Sequence, residues 1–160
     1  MPIIITGAGG FVGRQLVRRL VMTGKKVVGL DSHTGGIPDG VRAVAGDICS
    51  AHVRAEAFRD GCSALVHLAT VPGGAAEADP AASRRVNIDA MYDLLEDAKR
   101  AGEKPRVVYA SSIAVFGDPL PAHGVDDMTP LAPKMVYGGH KAMMELAVSM
   151  MHQRGEIQGI

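Results

Sequence analysis

The chain has 160 residues, 47% of them apolar and 21% charged, and its seventeen basic and seventeen acidic side chains cancel. That length fits one domain with a real core, and the even charge gives no electrostatic reason to expect nucleic acid or an anionic membrane surface. The first apolar run starts almost at Met1, leaving no room for a signal peptide, and no run approaches membrane-spanning length, so a cytoplasmic protein is expected.

Ile3-Ile4-Ile5-Thr6 reads as a β-strand that stops at the glycine-rich turn Gly7-Ala8-Gly9-Gly10. Val12, Leu16, Val17, Leu20 and Val21 then repeat at helical spacing, with Arg14, Arg18 and Arg19 on the wet side and Gly24 as the stop. In that strand–turn–helix context, Gly7 suits a tight turn and Gly10 leaves room for a pyrophosphate. Gly13 lets the helix pack close to its strand, and the helix amides with their dipole form a diphosphate site. Lys25 to Asp31 is a second strand ending on an acid, 18 positions beyond Gly13, where a dinucleotide fingerprint places the ribose-binding carboxylate. The alternative is an ordinary turn aspartate. With no Arg or Lys from 32 to 36 to hold a 2′-phosphate, NAD is expected over NADP.

Ser32 to Gly40 is glycine-rich and reads as a loop, and Val41 to Ala45 as a third strand closed by Gly46-Asp47-Ile48. Asp47 fits a ligand position at a strand end and equally a cap for a helix over Ser50 to Asp60. Cys49 and Cys62 are isolated thiols without metal-ligand spacing, and no metal is expected. Ala64 to Ala69 is a nearly unbroken apolar run, as in a strand buried on both faces, and His67 within it reads as a satisfied interior histidine. Thr70 to Asp79 is a small-residue loop. Asp79-Pro80 starts a long helix with Val86, Met91, Leu94, Leu95 and Ala98 on one side and Gly102 at its end. Asn87 lies on that apolar side and needs a partner wherever it is buried. Arg106 to Ala110 is the fifth strand, with Ser111-Ser112 at its end. Gly117 to Pro133 is broken by Pro119, Pro121, Pro130 and Pro133, and a last helix runs from about Lys134 to His152.

Alternating strands and helices imply an α/β fold: a Rossmann-type doubly wound parallel sheet, order 3-2-1-4-5, with a cofactor crossing the strand ends where the order reverses. Residues 1–160 form one dinucleotide-binding domain in this reading. Tyr137 and Lys141 lie four apart in the last helix and share a face, and an ammonium there favours the phenolate. Ser112 could hold a substrate oxygen while the phenolate removes its proton. A lone Tyr-x-x-x-Lys is common by chance, and the bland alternative is a packed tyrosine with a solvated lysine. Gly138 and Gly139 each cost a helix about 1 kcal/mol relative to alanine, so something is expected to approach the backbone there.

Thr6 to Gly13, Asp31, Gly46-Asp47-Ile48, His67-Leu68-Ala69, Val86-Asn87, Ser111 to Gly117 and Tyr137 to Lys141 occur in order over nearly the whole chain. Together they resemble the extended short-chain dehydrogenase/reductases, the NAD-dependent epimerase/dehydratase family. Ser111 to Pro121, with Val125-Asp126-Asp127 and Thr129-Pro130-Leu131, looks most like the D-erythronate dehydrogenase branch. The resemblance implies Tyr137 as general base, Lys141 on the nicotinamide ribose, and Ser112 polarising the substrate oxygen. It places Gly7, Gly10, Phe11, Val12, Gly13 and Asp31 on the cofactor's diphosphate and ribose, and Asp47 and Ile48 beside the adenine. Leu68, Ala69 and Thr70 would line the cofactor path and Asn87 would brace the site, while Glu145 matches an acid that follows the catalytic lysine. Phe116 replaces the family's usual tyrosine, which weakens the analogy to nucleotide-sugar epimerases, and Ile113-Ala114 argues against a dehydratase.

Members of that family continue with further strands and a substrate-closing region. This chain is therefore expected to be truncated, to lack those later strands, and to leave its fifth strand as an exposed apolar edge. The implied function is oxidation of a secondary hydroxyl of a sugar acid with NAD, in carbohydrate metabolism. The alternatives are a dinucleotide-binding module without turnover, or a nucleotide-sugar epimerase or dehydratase. The partner is a small molecule, and a homodimer through the two long helices is implied, with Met143, Met144, Met150 and Met151 either at that contact or filling the core.

Overall fold

A computed structural model describes every residue of the chain except His123. Six parallel strands form one sheet in the order β3-β2-β1-β4-β5-β6. β1 is Ile3–Thr6, β2 Val27–Asp31, β3 Arg42–Ala45, β4 Ala64–His67, β5 Arg106–Tyr109 and β6 Gln158–Gly159. The helices are α1 (Phe11–Met22), α2 (Ala51–Phe58), α3 (Gly73–Ala78), α4 (Pro80–Arg84), α5 (Met91–Ala101) and α6 (Val136–Gln153). The expected order holds for the first five strands. Thr6 pairs with Leu30 on one side and His67 on the other, which puts the C-terminal ends of the three central strands level. At that level β1 sends its chain to one neighbour and β4 lies on the other side, so a crevice opens where the order reverses.

Alternation along β1 divides the core. Ile5 packs with Val17 of α1 and Val27, whereas Ile4 packs with Leu65, Val107 and the buried faces of α5 and α6, including Leu94, Leu95, Met144 and Met151. Val66 and Val108 stay half-exposed.

Three expectations need correction. β5 is not left as a bare edge: Arg106 and Val107 pair with Gln158 and Gly159, and the Tyr109 amide donates to the Ile160 carbonyl. Thr70 to Asp79 is not all loop, because Gly73–Ala78 closes a short helix. Val12 is 59% exposed rather than on the buried face of α1, where Val17 and Gly13 carry the contact. The long helix after Asp79 does form, capped as its sequence requires: the Asp79 carboxylate accepts from the Ala82 amide, with Pro80 at the first position. Between α4 and α5 it widens into a π-helical turn, Arg85–Ala90, that carries Asn87. Such turns are frequent at functional sites.

Candidate active site

Gly7 sits at φ +68°, and a Cβ there would lie 2.8 Å from the Ala69 nitrogen. A Cβ on Gly13 would overlap the Gly7 carbonyl oxygen, so α1 closes on the turn only with glycine at 13, and the turn closes on the chain after β4 only with glycine at 7. Gly10 caps α1 without a side chain, and no acid occupies the first turn. The positive end of a 12-residue helix is thus offered to a ligand anion. Asp31 ends β2 beside this turn, its Oδ2 accepting from the Gly9 amide at 3.0 Å and its Oδ1 from the His33 amide at 3.2 Å.

A cleft of about 520 Å³ runs across these strand ends, lined by Gly7, Gly10, Asp31, Asp47, Ile48, Leu68, Ala69 and Thr70 among others. Eight expected cofactor residues therefore share one wall. Leu30, Ser32, Gly46 and Val86 complete the lining, and sequence reasoning had not singled them out for it. Phe11, Val12, Gly13, Asn87, Tyr137 and Lys141 lie outside that lining. Phe11 is 78% exposed, and Gly13 is packed beneath the turn.

At the turn after β3, Asp47 Oδ1 accepts from the Cys49 amide at 2.9 Å. Among the described residues nothing accepts from the Ile48 amide. A free N–H donor next to a carboxylate is what the amino-pyrimidine edge of an adenine requires, an acceptor beside a donor. Cys49 is a free thiol that burial and Asp47 push up to about 11.

Thr6, which sequence reasoning missed, braces two of the lining residues from within the core. Its Oγ1 accepts from the Leu68 and Ala69 amides at 3.2 and 3.3 Å and lies 2.7 Å from His67 Nδ1. With both lone pairs filled, the hydroxyl must donate to Nδ1, which puts the histidine proton on Nε2. Burial holds His67 neutral, pushed down to about 3. It is the satisfied interior histidine expected. Asn87 is also fully used: its Oδ1 accepts from Thr70 Oγ1 (3.0 Å) and the Val71 amide (2.8 Å), and its Nδ2 donates to the Val71 carbonyl and Ser83 Oγ. Ser83 Oγ is in turn 2.9 Å from His140 Nδ1. The cleft wall at Thr70 is thereby tied to α6 one residue before Lys141.

Lys141 is buried, not solvated. Its Nζ donates to the Ala110 carbonyl at 2.7 Å, just past β5, and stands 4.8 Å from the ring centre of Tyr109 and 5.6 Å from that of Tyr137. Desolvation lowers the ammonium to about 8. Two aromatic faces and a carbonyl keep a charge there in place of water. Ser112 begins a tight turn over Ile113–Phe116 by accepting from the Ala114 amide, and that turn packs on α6. A Cβ on Gly138 would overlap the Ala114 carbonyl oxygen, which is the close approach its sequence position suggested; Gly139 has nothing within 4 Å. Glu145 accepts from the Ser111 hydroxyl.

Residues 3–160 match the NAD dependent epimerase/dehydratase family. The chain belongs to that family. It is 40% identical to the D-erythronate dehydrogenase of Cupriavidus necator over 99% of its own length and 53% of that protein's. Its fold matches the nucleoside-diphosphate-sugar epimerase of Agrobacterium tumefaciens with a TM-score of 0.90 at 35% identity, over 100% of this chain and 51% of the other. A short-chain dehydrogenase/reductase superfamily protein of the same organism, solved with bound NAD, gives 0.89 at 31% identity over 100% and 48%. The chain thus spans about half the length of the relatives it matches. No helix among the described residues is long and apolar enough to cross a membrane, and no group of metal-ligating side chains occurs among them.

Proposed function

We propose that this epimerase-family domain binds NAD and, within its whole protein, oxidises a secondary hydroxyl of a sugar acid of the D-erythronate kind. The observation that carries this reading is the desolvated Lys141 ammonium beside the Tyr137 ring at the end of β5. The bare N-terminus of α1 would take the diphosphate, Asp31 a ribose, and Asp47 with Ile48 the adenine. Bound NAD supplies the hydride acceptor. Tyr137 takes the proton from the substrate hydroxyl, Lys141 holds the phenolate charge and the nicotinamide ribose, and Ser112 donates to the substrate oxygen. Asn87 keeps Thr70 and α6 in register while this happens.

A dimer is consistent with α6, where Met144 and Met151 are buried in the core but Met143, Leu146 and Met150 are 52%, 67% and 41% exposed, and Tyr92 of α5 is 41% exposed. Met144 and Met151 fill the core, and Met143 and Met150 are left exposed for such a contact. A second reading, nucleotide-sugar epimerisation, draws support from the 35%-identical epimerase of the same fold.

Titrating the chain with NAD and assaying hydride transfer to D-erythronate tests the proposal. Turnover that falls roughly 10²–10⁴-fold in Tyr137→Phe with NAD binding retained supports the enzyme. Binding without any reduced cofactor supports a module that needs the rest of its protein.

A further inference from the structure

Arg54 of α2 is only 7% exposed, and the Tyr–Lys chemistry makes no use of it. Its guanidinium spends its edges on three partners. Nε donates to Asp97 at 2.8 Å and Nη2 to Asp93 at 2.6 Å, two carboxylates one turn apart on α5. Nη1 donates to the Ile48 carbonyl at 2.8 Å. Clamping α2 to α5 would require only the carboxylates, so the third bond needs its own explanation.

That carbonyl belongs to the peptide unit joining Ile48 to Cys49. The opposite end of the same unit, the Cys49 amide, donates to Asp47 Oδ1. One rigid, planar group is therefore held at both ends, by a buried cation on one side and the Asp47 carboxylate on the other. The cation polarises the peptide and strengthens the amide as a donor to Asp47. It also constrains the second Asp47 oxygen and the neighbouring Ile48 amide, which belong to two residues that line the cleft. The carboxylates on α5 hold the guanidinium in place, which a flexible ammonium could not match because it lacks the planar fork.

We infer that Arg54 is a positioning residue that sets base selectivity at the adenine end of the cleft, acting through the Ile48–Cys49 peptide on Asp47. This rests on the proposed NAD reading. Arg54 orients an acceptor that recognises the 6-amino group, and so enforces adenine over a base with oxygen at that position.

The test compares the affinities of NAD and nicotinamide hypoxanthine dinucleotide by calorimetry for the native chain, Arg54→Lys and Arg54→Met. Melting temperatures are recorded alongside, and Arg54→Lys covers the case in which Arg54→Met fails to fold. The native chain should prefer NAD about tenfold, one charge-assisted hydrogen bond's worth, and the folded variants should bring that preference within about twofold. A role confined to helix packing would lower the melting temperature and leave the ratio between the two dinucleotides unchanged, which overturns the inference. A native chain that binds both equally well overturns it too while leaving the NAD reading standing; one that binds neither removes both.

Discussion

Two regions of the candidate site are built from opposite materials. At the glycine turn, the end proposed for the diphosphate, the groups on offer are backbone amides and absent side chains: Gly7, Gly10 and Gly13 matter for the Cβ atoms they lack. At the Tyr137 end, outside the lining of the cleft, a charge is pushed into a dry setting, with Lys141 at 3% exposure near two aromatic rings. The first end should be limited by shape and the second by solvation, so each should fail under a different perturbation.

The largest effect is expected at the shape-limited end. Gly13→Ala drives a methyl into the Gly7 carbonyl, and the chain should lose roughly 3 kcal/mol or more of stability together with measurable NAD binding. Denaturant unfolding and calorimetry check both, and an unperturbed Gly13→Ala would erase the distinction between the two ends. Solvation at the other end is read by pH. With the Lys141 ammonium near 8 in the folded chain and 10.5 as its ordinary value, the unfolded state binds more protons between those limits. Stability should therefore rise as pH climbs from about 8 to 10.5, by roughly 3 kcal/mol at most, and the rise should be missing in Lys141→Met. Equal pH profiles for the two chains would mean that the lysine is solvated after all.

Asp31 stands between the two regimes. Asp31→Ala should weaken NAD about tenfold and improve the relative affinity for NADP, since it removes a charge that repels a 2′-phosphate. An unchanged ratio would take Asp31 off the ribose and leave it its bonds to the Gly9 and His33 amides and the Ser32 hydroxyl. The smallest test is a pair of neighbours on α6. Gly138→Ala should destabilise by about 1–3 kcal/mol through the Ala114 carbonyl. Gly139→Ala, with open space around it, should stabilise by about 0.5–1 kcal/mol.

The same contrast decides what could be read without coordinates. Glycine spacing after a β-branched run names the diphosphate turn because the steric demand acts within seven residues, and Asp31 follows from the length of one crossover. Tyr137 and Lys141 could be paired from helical spacing, but not the burial of Lys141: Tyr109 and the Ala110 carbonyl that surround it come from a strand some thirty residues earlier. Thr6, 61 positions from His67, left only one trace, a polar residue at the end of an apolar strand. Arg54 carries no signal in the sequence, since α2 has no clear apolar stripe to make a buried cation stand out. β6 was invisible for a different reason: Gln158 and Gly159 have no strand pattern of their own and are held in the sheet by the β5 backbone.

All five strand pairings are parallel, and this has a kinetic side. Among the described residues no hairpin exists to form early and cheaply, so each ladder waits for a crossover to close its loop first. β1 must hold its place beside β2 until β4 arrives from more than fifty positions away. Such non-local pairing places the domain among folds slower than helical bundles of similar size. During synthesis the β3-β2-β1 half can assemble before β4 leaves the ribosome, so the glycine turn would take shape ahead of the pocket around Lys141.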